Sequence, residues 1–294
     1  MGNRADANTR ADTDQRVARI HALAIRAFRA AGVDGPVIED PDDPYNAVIL
    51  STTGTEYGLA NLTLACIASP RLLWRARIRS HVTTIVAMTK VDEPVNLGDP
   101  EVRSGIRSRL LPEDALPDFV ATRHVAPGLV EALCVDLPRT VEFVGDRSMA
   151  GHDLDALLDM GRSQLQFERI DERGELAPGI SAVIGNSFFT GSQVLNPRFV
   201  ARELADAPRG FVFLAPDRHR LFIAPVVGGA SIIPITKLAQ FAASIDAATL
   251  PGGLVSTSLY FTDGTVVERI SQVDEDSGQP GIVADGAFLQ AINV

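Results

Sequence analysis

The segment Val194–Pro225 constrains the fold more than any other part of the chain. Leu195–Leu204 carries apolar residues at helical spacing, and two short apolar runs rich in strand-forming residues follow it, at Phe211–Ala215 and Leu221–Ala224. The polar residues 216–220 between the two runs are typical of a tight turn. The segment therefore predicts a helix, a strand, a turn and a second strand, in that order.

The rest of the chain also contains segments of helical periodicity and short apolar runs. The predicted helices begin near Asp12-Thr13, Ser69-Pro70, Ser148 or His152, and Ile235. Asp263-Gly264 is a strong hairpin signal, because the turn needs a positive φ. Helices stand next to paired strands rather than alternating with single ones. We therefore predict an α+β fold of mostly antiparallel short strands covered by several helices, compatible with two similar lobes.

Changes in composition and periodicity divide the chain into five parts. We expect a disordered N-terminus (1–12), an N-terminal α+β lobe (13–91), a connecting segment with at most a short strand near Arg109–Leu111 (92–117), an α+β core (118–273) and a polar C-terminal tail (274–294).

The charge balance restricts the class of partner. The 294 residues include 27 Lys and Arg against 37 Asp and Glu, which gives a net charge of −10. A general nucleic-acid binder needs a positive field, so we do not expect nucleic acid as a partner. An acidic surface suits a basic protein partner.

Cysteine usage and hydropathy bear on the compartment. Cys66 and Cys134 lie far apart within apolar surroundings, as is typical of buried thiols in a reducing compartment. No apolar run reaches the ~18 residues of a membrane span. The N-terminus lacks the apolar core of a secretory signal. The sequence thus predicts a cytoplasmic protein with no membrane segment.

Three segments carry a resemblance to a known family. Arg109–Pro112 reads Arg-Leu-Leu-Pro, and Val130–Val144 leads into a helix at Asp153–Leu165. Val194–Val226 contains Leu-Asn-Pro-Arg-Phe, then Leu-Ala-Pro and, after four intervening residues, Leu221. In order and spacing they resemble the YtpQ-like family, a bacterial family without an established activity. The resemblance implies a shared fold, with this chain as a divergent member, and it implies no catalytic or cofactor residue.

Four polar residues, His124, His152, Asp155 and Asp217, are candidates for catalysis. His124 lies in a loop, where an imidazole can act as a general base. His152 and Asp155, with Asp159, share the start of a helix, although acidic residues also collect there because the helix dipole favours them. Asp217 lies in the predicted turn, where aspartate is also favoured sterically. No metal-ligand motif and no glycine-rich phosphate loop accompanies them, so we predict no metal site and no cofactor.

Arginines supply the candidate binding residues. Arg71, Arg75 and Arg79 form a stripe at i, i+4 and i+8 on a predicted helix, and Arg218 and His219 lie in the turn of the opening segment. The stripe suits an anion or a docked protein, because guanidinium groups bind carboxylates and phosphates. The alternative is a solvated helix face paired with neighbouring acids.

The sequence favours a non-enzymatic binding or interaction protein, such as an adaptor or an immunity-type inhibitor of a basic partner, because no catalytic signature is complete. The alternative is a small-molecule hydrolase or transferase, in which at least two of His124, His152, Asp155 and Asp217 would converge on one point. A third hypothesis, nucleic-acid binding through the arginine stripe, disagrees with the net charge. The sequence indicates no oligomeric state.

Overall fold

The computed structural model describes residues 3–39, 45, 47–52, 56–67, 69–89, 95–113, 120–137, 140–246, 250, 253–273 and 280–293. The chain divides into two units. The first contains residues 1–93 and 251–253, and the second contains residues 94–250 and 254–294. Helices and antiparallel sheets make up both units, which confirms the predicted α+β fold.

The first unit packs helices against a small antiparallel sheet. Its elements are α1 (Asn3–Ala30), β1 (Val37–Glu39), β2 (Ala47–Leu50), β3 (Glu56–Gly58), α2 (Ala60–Ile67) and α3 (Trp74–Thr89). Ile20 and Phe28 of α1 meet Trp74 and Ile78 of α3 in its core, and Ile49 of β2 joins them. Helical spacing on α1 and α3 thus builds this core, because each helix turns one apolar face inward.

Helix α1 starts earlier than predicted. It begins at Asn3, whereas the sequence predicted a start near Asp12-Thr13 after a disordered stretch. Residues 3–12 contain alanine and arginine but no glycine or proline, so nothing stops the helix from extending toward the N-terminus. Strand β3 ends at Gly58, and the apolar residues beyond it form α2.

The described part of the second unit contains three sheets, of six, four and two strands, with helices around them. Its elements are α4 (Pro100–Ser104), β4 (Ile106–Pro112), β5 (Thr122–Ala126), β6 (Leu129–Leu137), β7 (Thr140–Phe143), α5 (Asp146–Met149), α6 (Leu154–Gln164), β8 (Glu172–Ala177), β9 (Ile180–Ile184), α7 (Pro197–Asp206), β10 (Phe211–Asp217), β11 (Arg220–Pro225), α8 (Ile232–Ala243), β12 (Tyr260–Thr262), β13 (Val267–Arg269), β14 (Ser271–Val273), β15 (Pro280–Ile282) and α9 (Gly286–Asn293).

The larger sheet has six strands in the order β13-β12-β10-β11-β9-β8, and all pairs are antiparallel. Every residue of β10 is buried. Because strand side chains alternate, Phe211 and Phe213 enter one core cluster, while Val212 and Leu214 enter another with α8 and α9. The helix, strand, turn and strand predicted for Val194–Pro225 therefore form the centre of this unit.

In the four-stranded sheet, β6 lies between β4 on one side and β5 and β7 on the other. Helix α6 packs closely on β4. A Cβ at Gly161 of α6 would lie 2.7 Å from the Arg107 carbonyl carbon, so glycine is needed there. Ser108 Oγ donates a hydrogen bond to the Leu158 carbonyl at 2.9 Å. The sheet and helix together position the polar residues described below.

Several predicted boundaries differ from the structure. The expected connection 92–117 contains α4 and a full strand β4, because β6 supplies a partner for residues 106–112 that local sequence does not show. The expected tail contains β15 and α9, and Phe288 of α9 is fully buried. The two units also differ from each other. The described part of the first has one three-stranded sheet, whereas the second is built around a six-stranded and a four-stranded sheet.

Candidate functional site

The hairpin turn between β10 and β11 contains a buried ion pair. Asp217 is fully buried, and its Oδ2 accepts a hydrogen bond from Arg220 Nε at 2.7 Å. Its Oδ1 accepts the backbone N–H of His219 at 2.7 Å. Asp217 therefore has its charge matched by Arg220 and fixes the conformation of the turn.

Arg218 extends from this turn over an aromatic ring. Its guanidinium carbon lies 4.1 Å from the ring centroid of Phe188. Its Nε donates to His219 Nε2 at 2.9 Å, and His219 Nδ1 lies 3.1 Å from the Gly185 carbonyl oxygen. A carbonyl only accepts, so Nδ1 carries the ring proton. Burial and the Arg218 charge lower the pKa of His219, which keeps the imidazole a neutral acceptor.

The loop that carries Phe188 is held by hydrogen bonds. Ser187 Oγ donates to Glu168 Oε2 at 2.6 Å and accepts the Phe189 N–H at 3.0 Å. Gly191 N donates to the Arg218 carbonyl at 2.9 Å. A Cβ at position 191 would clash with the Asp217 carbonyl oxygen, so glycine allows this approach. Backbone contacts therefore fix the loop against the turn.

Arg109 of β4 is a buried cation without a hydrogen-bond partner for its Nε atom. Its side chain is 9% exposed, and its guanidinium carbon lies 5.6 Å from the ring centroid of Phe143. No ion pair involves Arg109 in the part of the chain that the structure describes. Burial raises the pKa of the neighbouring Cys134 thiol to about 12, so this thiol is neutral and provides no counter-charge.

Arg109 and Arg218 are close enough to repel each other. Burial and the charge of Arg109 together lower the pKa of Arg218 to about 10. Both groups are still protonated at neutral pH. Among the described residues, no carboxylate pairs with either of them. The charge of the neighbouring Asp217 partly offsets the lowering of the pKa of Arg218, but Asp217 is itself paired with Arg220. Desolvated cations without an ion-pair partner are costly in a folded protein, and such arrangements are concentrated at functional sites.

This pair of arginines offers a particular chemistry. An aromatic ring covers one face of each guanidinium, which leaves the edge N–H groups to act as donors. Planar forks of N–H donors match carboxylate and phosphate oxygens. We call Arg109, Arg218, Phe143, Phe188 and His219 the arginine site. It is suited to a small oxyanion, which would supply the missing negative charge.

A second charged group surrounds the buried Glu131, and its charges are paired with one another. Glu131 of β6 is fully buried and accepts four hydrogen bonds, two from Arg123 and two from Arg162, at 2.6–3.2 Å. Asp155 and Asp159 of α6 also contact Arg123, at 3.0 and 3.4 Å. We call these five residues the Glu131 cluster. Its charges are matched internally, which indicates a structural role.

The structure separates the catalytic candidates. His124 on β5 and His152 before α6 are exposed, Asp155 is exposed on α6, and Asp217 is buried in the turn. Within the described residues, no hydrogen bond or ion pair joins any two of these four side chains. Asp155 pairs with Arg123, and Asp217 pairs with Arg220. The convergence that the enzymatic alternative requires is therefore not observed.

The binding candidates divide between the two units. Arg218 and His219 belong to the arginine site, whereas Arg71, Arg75 and Arg79 lie in the first unit at the start of α3. Sequence reasoning did not select Arg109 or Phe188. The sequence signal that could have identified Arg109 is its position within the mostly buried strand 106–112, because charged side chains are rare at buried positions.

No family model, curated protein or solved structure matches the chain. The resemblance to the YtpQ-like family therefore stays a prediction. In the described part of the chain, no group of three or more His, Cys, Asp and Glu side chains could hold a metal ion. None of the helices there combines the length and the apolar character needed to cross a bilayer.

Proposed function

We propose that the chain is a non-enzymatic binding protein whose second unit holds an anionic ligand at the arginine site. One observation supports this proposal above the others: the buried Arg109 and the half-buried Arg218 are close enough to repel each other, and neither forms an ion pair with a carboxylate among the described residues. A bound carboxylate or phosphate would provide the counter-charge that the fold omits.

The hydrogen bonds around the turn favour binding over catalysis. Both ring nitrogens of His219 are engaged, Nδ1 by the Gly185 carbonyl and Nε2 by Arg218. Asp217 is engaged by Arg220. The site thus offers hydrogen-bond donors and no free general base, which a hydrolase or transferase would need. Phosphate and carboxylate groups are the ligand class that such donors recognise.

The proposal leaves room for a protein partner. The net charge of −10 suits a basic partner, so an adaptor or an immunity-type inhibitor that also takes an anion is compatible with it. The two free, buried cysteines suit a reducing compartment, and we propose a cytoplasmic location in a bacterial cell. Pull-down from the native host tests the partner, since a basic protein retained in stoichiometric amount would support this version.

Anion titrations test the arginine site. We expect inorganic phosphate or succinate to shift the Nε–Hε NMR signal of Arg109, because this group has no hydrogen-bond partner in the free protein. Calorimetric titration should show that Arg218→Gln or Arg109→Gln weakens binding about 10- to 100-fold, since a hydrogen bond to a charged group contributes about 1.5–3 kcal/mol.

Arg147→Gln is the matched control, because Arg147 is an exposed arginine of α5 in the same unit. It should retain the affinity of the unmodified chain. Equal losses in all three variants, or no response of Arg109 to either anion, would contradict the proposal. Turnover of a phosphate ester that Arg218→Gln abolishes would favour the enzymatic alternative.

A further inference from the structure

An open groove runs between helices α1 and α3 of the first unit. Its volume is about 520 Å³. Leu23 and Ala27 of α1 and Ile78 and Val82 of α3 supply apolar lining, and Ile78 and Val82 are each only 2% exposed. Small side chains on α1 leave the space between the helices unfilled. The groove floor is therefore continuous with the hydrophobic core of this unit.

Three exposed arginines line this groove from both sides. Arg26 projects from α1, and Arg75 and Arg79 project from α3. In the described residues, none of the three has an ion pair with a carboxylate. The expectation of a helix face paired with neighbouring acids is thus not met at Arg75 and Arg79. Their charges are available to a ligand in the groove.

Arg71 differs from the other two members of the stripe. Its guanidinium carbon lies 5.9 Å from the ring centroid of Trp74, and it is not among the residues that line the groove. The three arginines predicted to form one stripe therefore have two different surroundings. Arg71 lies at the ring of Trp74, and Arg75 and Arg79 line the groove. Arg26, which is far from the stripe in sequence, replaces Arg71 in the set.

A strongly exposed leucine lies just before α3. Leu72 is 94% exposed, and it precedes Arg75 by three residues and Arg79 by seven. The short 3-10 turn Arg71–Leu73 leads directly into α3, so these positions share one side of the helix. Leu72 is not among the residues that line the groove, so it adds an apolar side chain to this side of the helix outside the groove itself.

We propose that this groove docks an acidic amphipathic helix of a partner protein. A groove between two helices is a common seat for a third helix, whose apolar face enters it. The arginines on both walls require carboxylates beside that apolar face. A nucleic acid would use the cations but would have no use for the apolar floor, and the net charge of −10 opposes it. The proposal is independent of the arginine site.

A peptide selection on the full chain tests the groove. The probe is a displayed library of helix-forming peptides with randomised surface positions. We expect enriched peptides to carry apolar residues at i, i+3 or i+4, and i+7, flanked by Glu or Asp. The enriched peptides should bind the Arg75→Glu/Arg79→Glu double variant at least about ten-fold more weakly in fluorescence anisotropy, and Arg26→Glu should weaken them as well.

Matched variants separate docking from general charge effects. Arg103→Glu/Arg147→Glu changes two exposed arginines of the second unit and should leave peptide affinity unchanged. All substituted residues are exposed, so circular dichroism and thermal unfolding should match those of the unmodified chain. Arg218→Gln should also retain peptide binding, which distinguishes failure of the groove from failure of the arginine site.

The proposal is wrong if enriched peptides lack acidic residues, or if their affinity is the same in the Arg75→Glu/Arg79→Glu variant. It is also wrong if no peptide is enriched over the library background. Binding of a single-stranded oligonucleotide that the same double variant abolishes, with no effect on peptides, would identify nucleic acid as the occupant instead.

Discussion

Glu131 and Arg109 lie on neighbouring strands of one sheet, and both carry a charge that burial disfavours. Glu131 receives four hydrogen bonds from two arginines, whereas Arg109 has no ion pair in the described part of the second unit. The same sheet therefore matches one buried charge and leaves the other unmatched. The difference separates a charge that serves the fold from one that is available to a ligand.

Strand geometry explains why Glu131 does not neutralise Arg109. Glu131 pairs with Leu110, and Arg109 pairs with Ala132. Paired residues project to the same face and successive residues to opposite faces, so Glu131 and Arg109 project from opposite faces of the sheet. A one-residue shift of register would bring them to the same face. The observed register keeps them apart, and Leu110 takes the place opposite the glutamate.

The largest effect should follow from disrupting the matched cluster. Glu131→Gln removes the charge that holds Arg123 and Arg162, and breaking a buried ion pair costs about 3–5 kcal/mol. Urea unfolding measures this loss. Glu172→Gln, at an exposed position of β8, is the control and should change the free energy of unfolding by less than about 0.5 kcal/mol. A Glu131→Gln variant as stable as the control would show that the cluster is not structural.

The unmatched arginine should give an effect of opposite sign. Arg109→Met replaces a desolvated cation with an apolar side chain, and we expect the free energy of unfolding to rise by about 1–3 kcal/mol in buffer without polyvalent anions. The same variant should lose anion binding. Stability gained together with function lost is the signature of a charge retained for a ligand.

Arg107→Met is the matched control on the same strand. Arg107 Nε donates to Glu168 Oε1 at 2.7 Å, so its removal leaves a carboxylate that is largely buried without its cation. This control should therefore destabilise the protein. If Arg109→Met lowers the free energy of unfolding as much as Arg107→Met does, then Arg109 has a structural partner and the comparison fails.

Local chemistry accounts for the parts of the fold that the sequence predicted. The strands on either side of residues 218 and 219 are apolar runs bounded by turn residues, and both form as predicted. Asp263-Gly264 forms a hairpin turn in which Gly264 has φ of 91° and Asp263 Oδ1 accepts the Thr265 N–H. In these segments, the residues that determine the conformation are close together in sequence.

Long-range partners decide the parts that were not predicted. Strand β4 contains two arginines and a serine, so it has no apolar run, and pairing with β6 determines its conformation. The arginine site joins Arg109 to Arg218 across a large sequence separation, and Phe188 approaches from a third segment. Arg218 and His219 were selected from the turn, but the lack of an ion pair for Arg218 among the described residues is visible only in three dimensions.

Titration of His219 in the arginine site should make the free energy of unfolding depend on pH. Its pKa is lowered from the ordinary value of 6.5, so the unfolded chain binds the proton first as the pH falls. Stability should therefore decrease as the pH drops below about 6.5 until the folded pKa is reached, with a slope of at most about 1.4 kcal/mol per pH unit for one proton. Above that window, His219 is neutral in both states and contributes nothing.

His219→Gln tests this dependence, because glutamine can still accept from Arg218 without titrating. Urea unfolding between pH 5 and pH 7 should show a smaller slope for this variant. The pKa of His81 in the first unit is also lowered by burial, so the part of the pH slope that His81 contributes should persist in the His219→Gln variant. An unchanged slope in His219→Gln would mean that protonation of His219 does not affect folding.

The smallest effect should come from the exposed edge of the matched cluster. Asp159 is 69% exposed and contacts Arg123 at 3.4 Å, so Asp159→Asn should cost no more than about 0.5 kcal/mol. Arg123 already has Glu131 as its buried partner, which leaves little for the outer carboxylate to add.

In the Glu131→Gln background, the outer carboxylates become the only anions on Arg123 among the described residues. Asp159→Asn should then cost more, and the double-mutant cycle should give a coupling energy above about 0.5 kcal/mol. Additive losses in the two backgrounds would mean that the outer aspartates act independently, and the cluster would then consist of Glu131 and its two arginines alone.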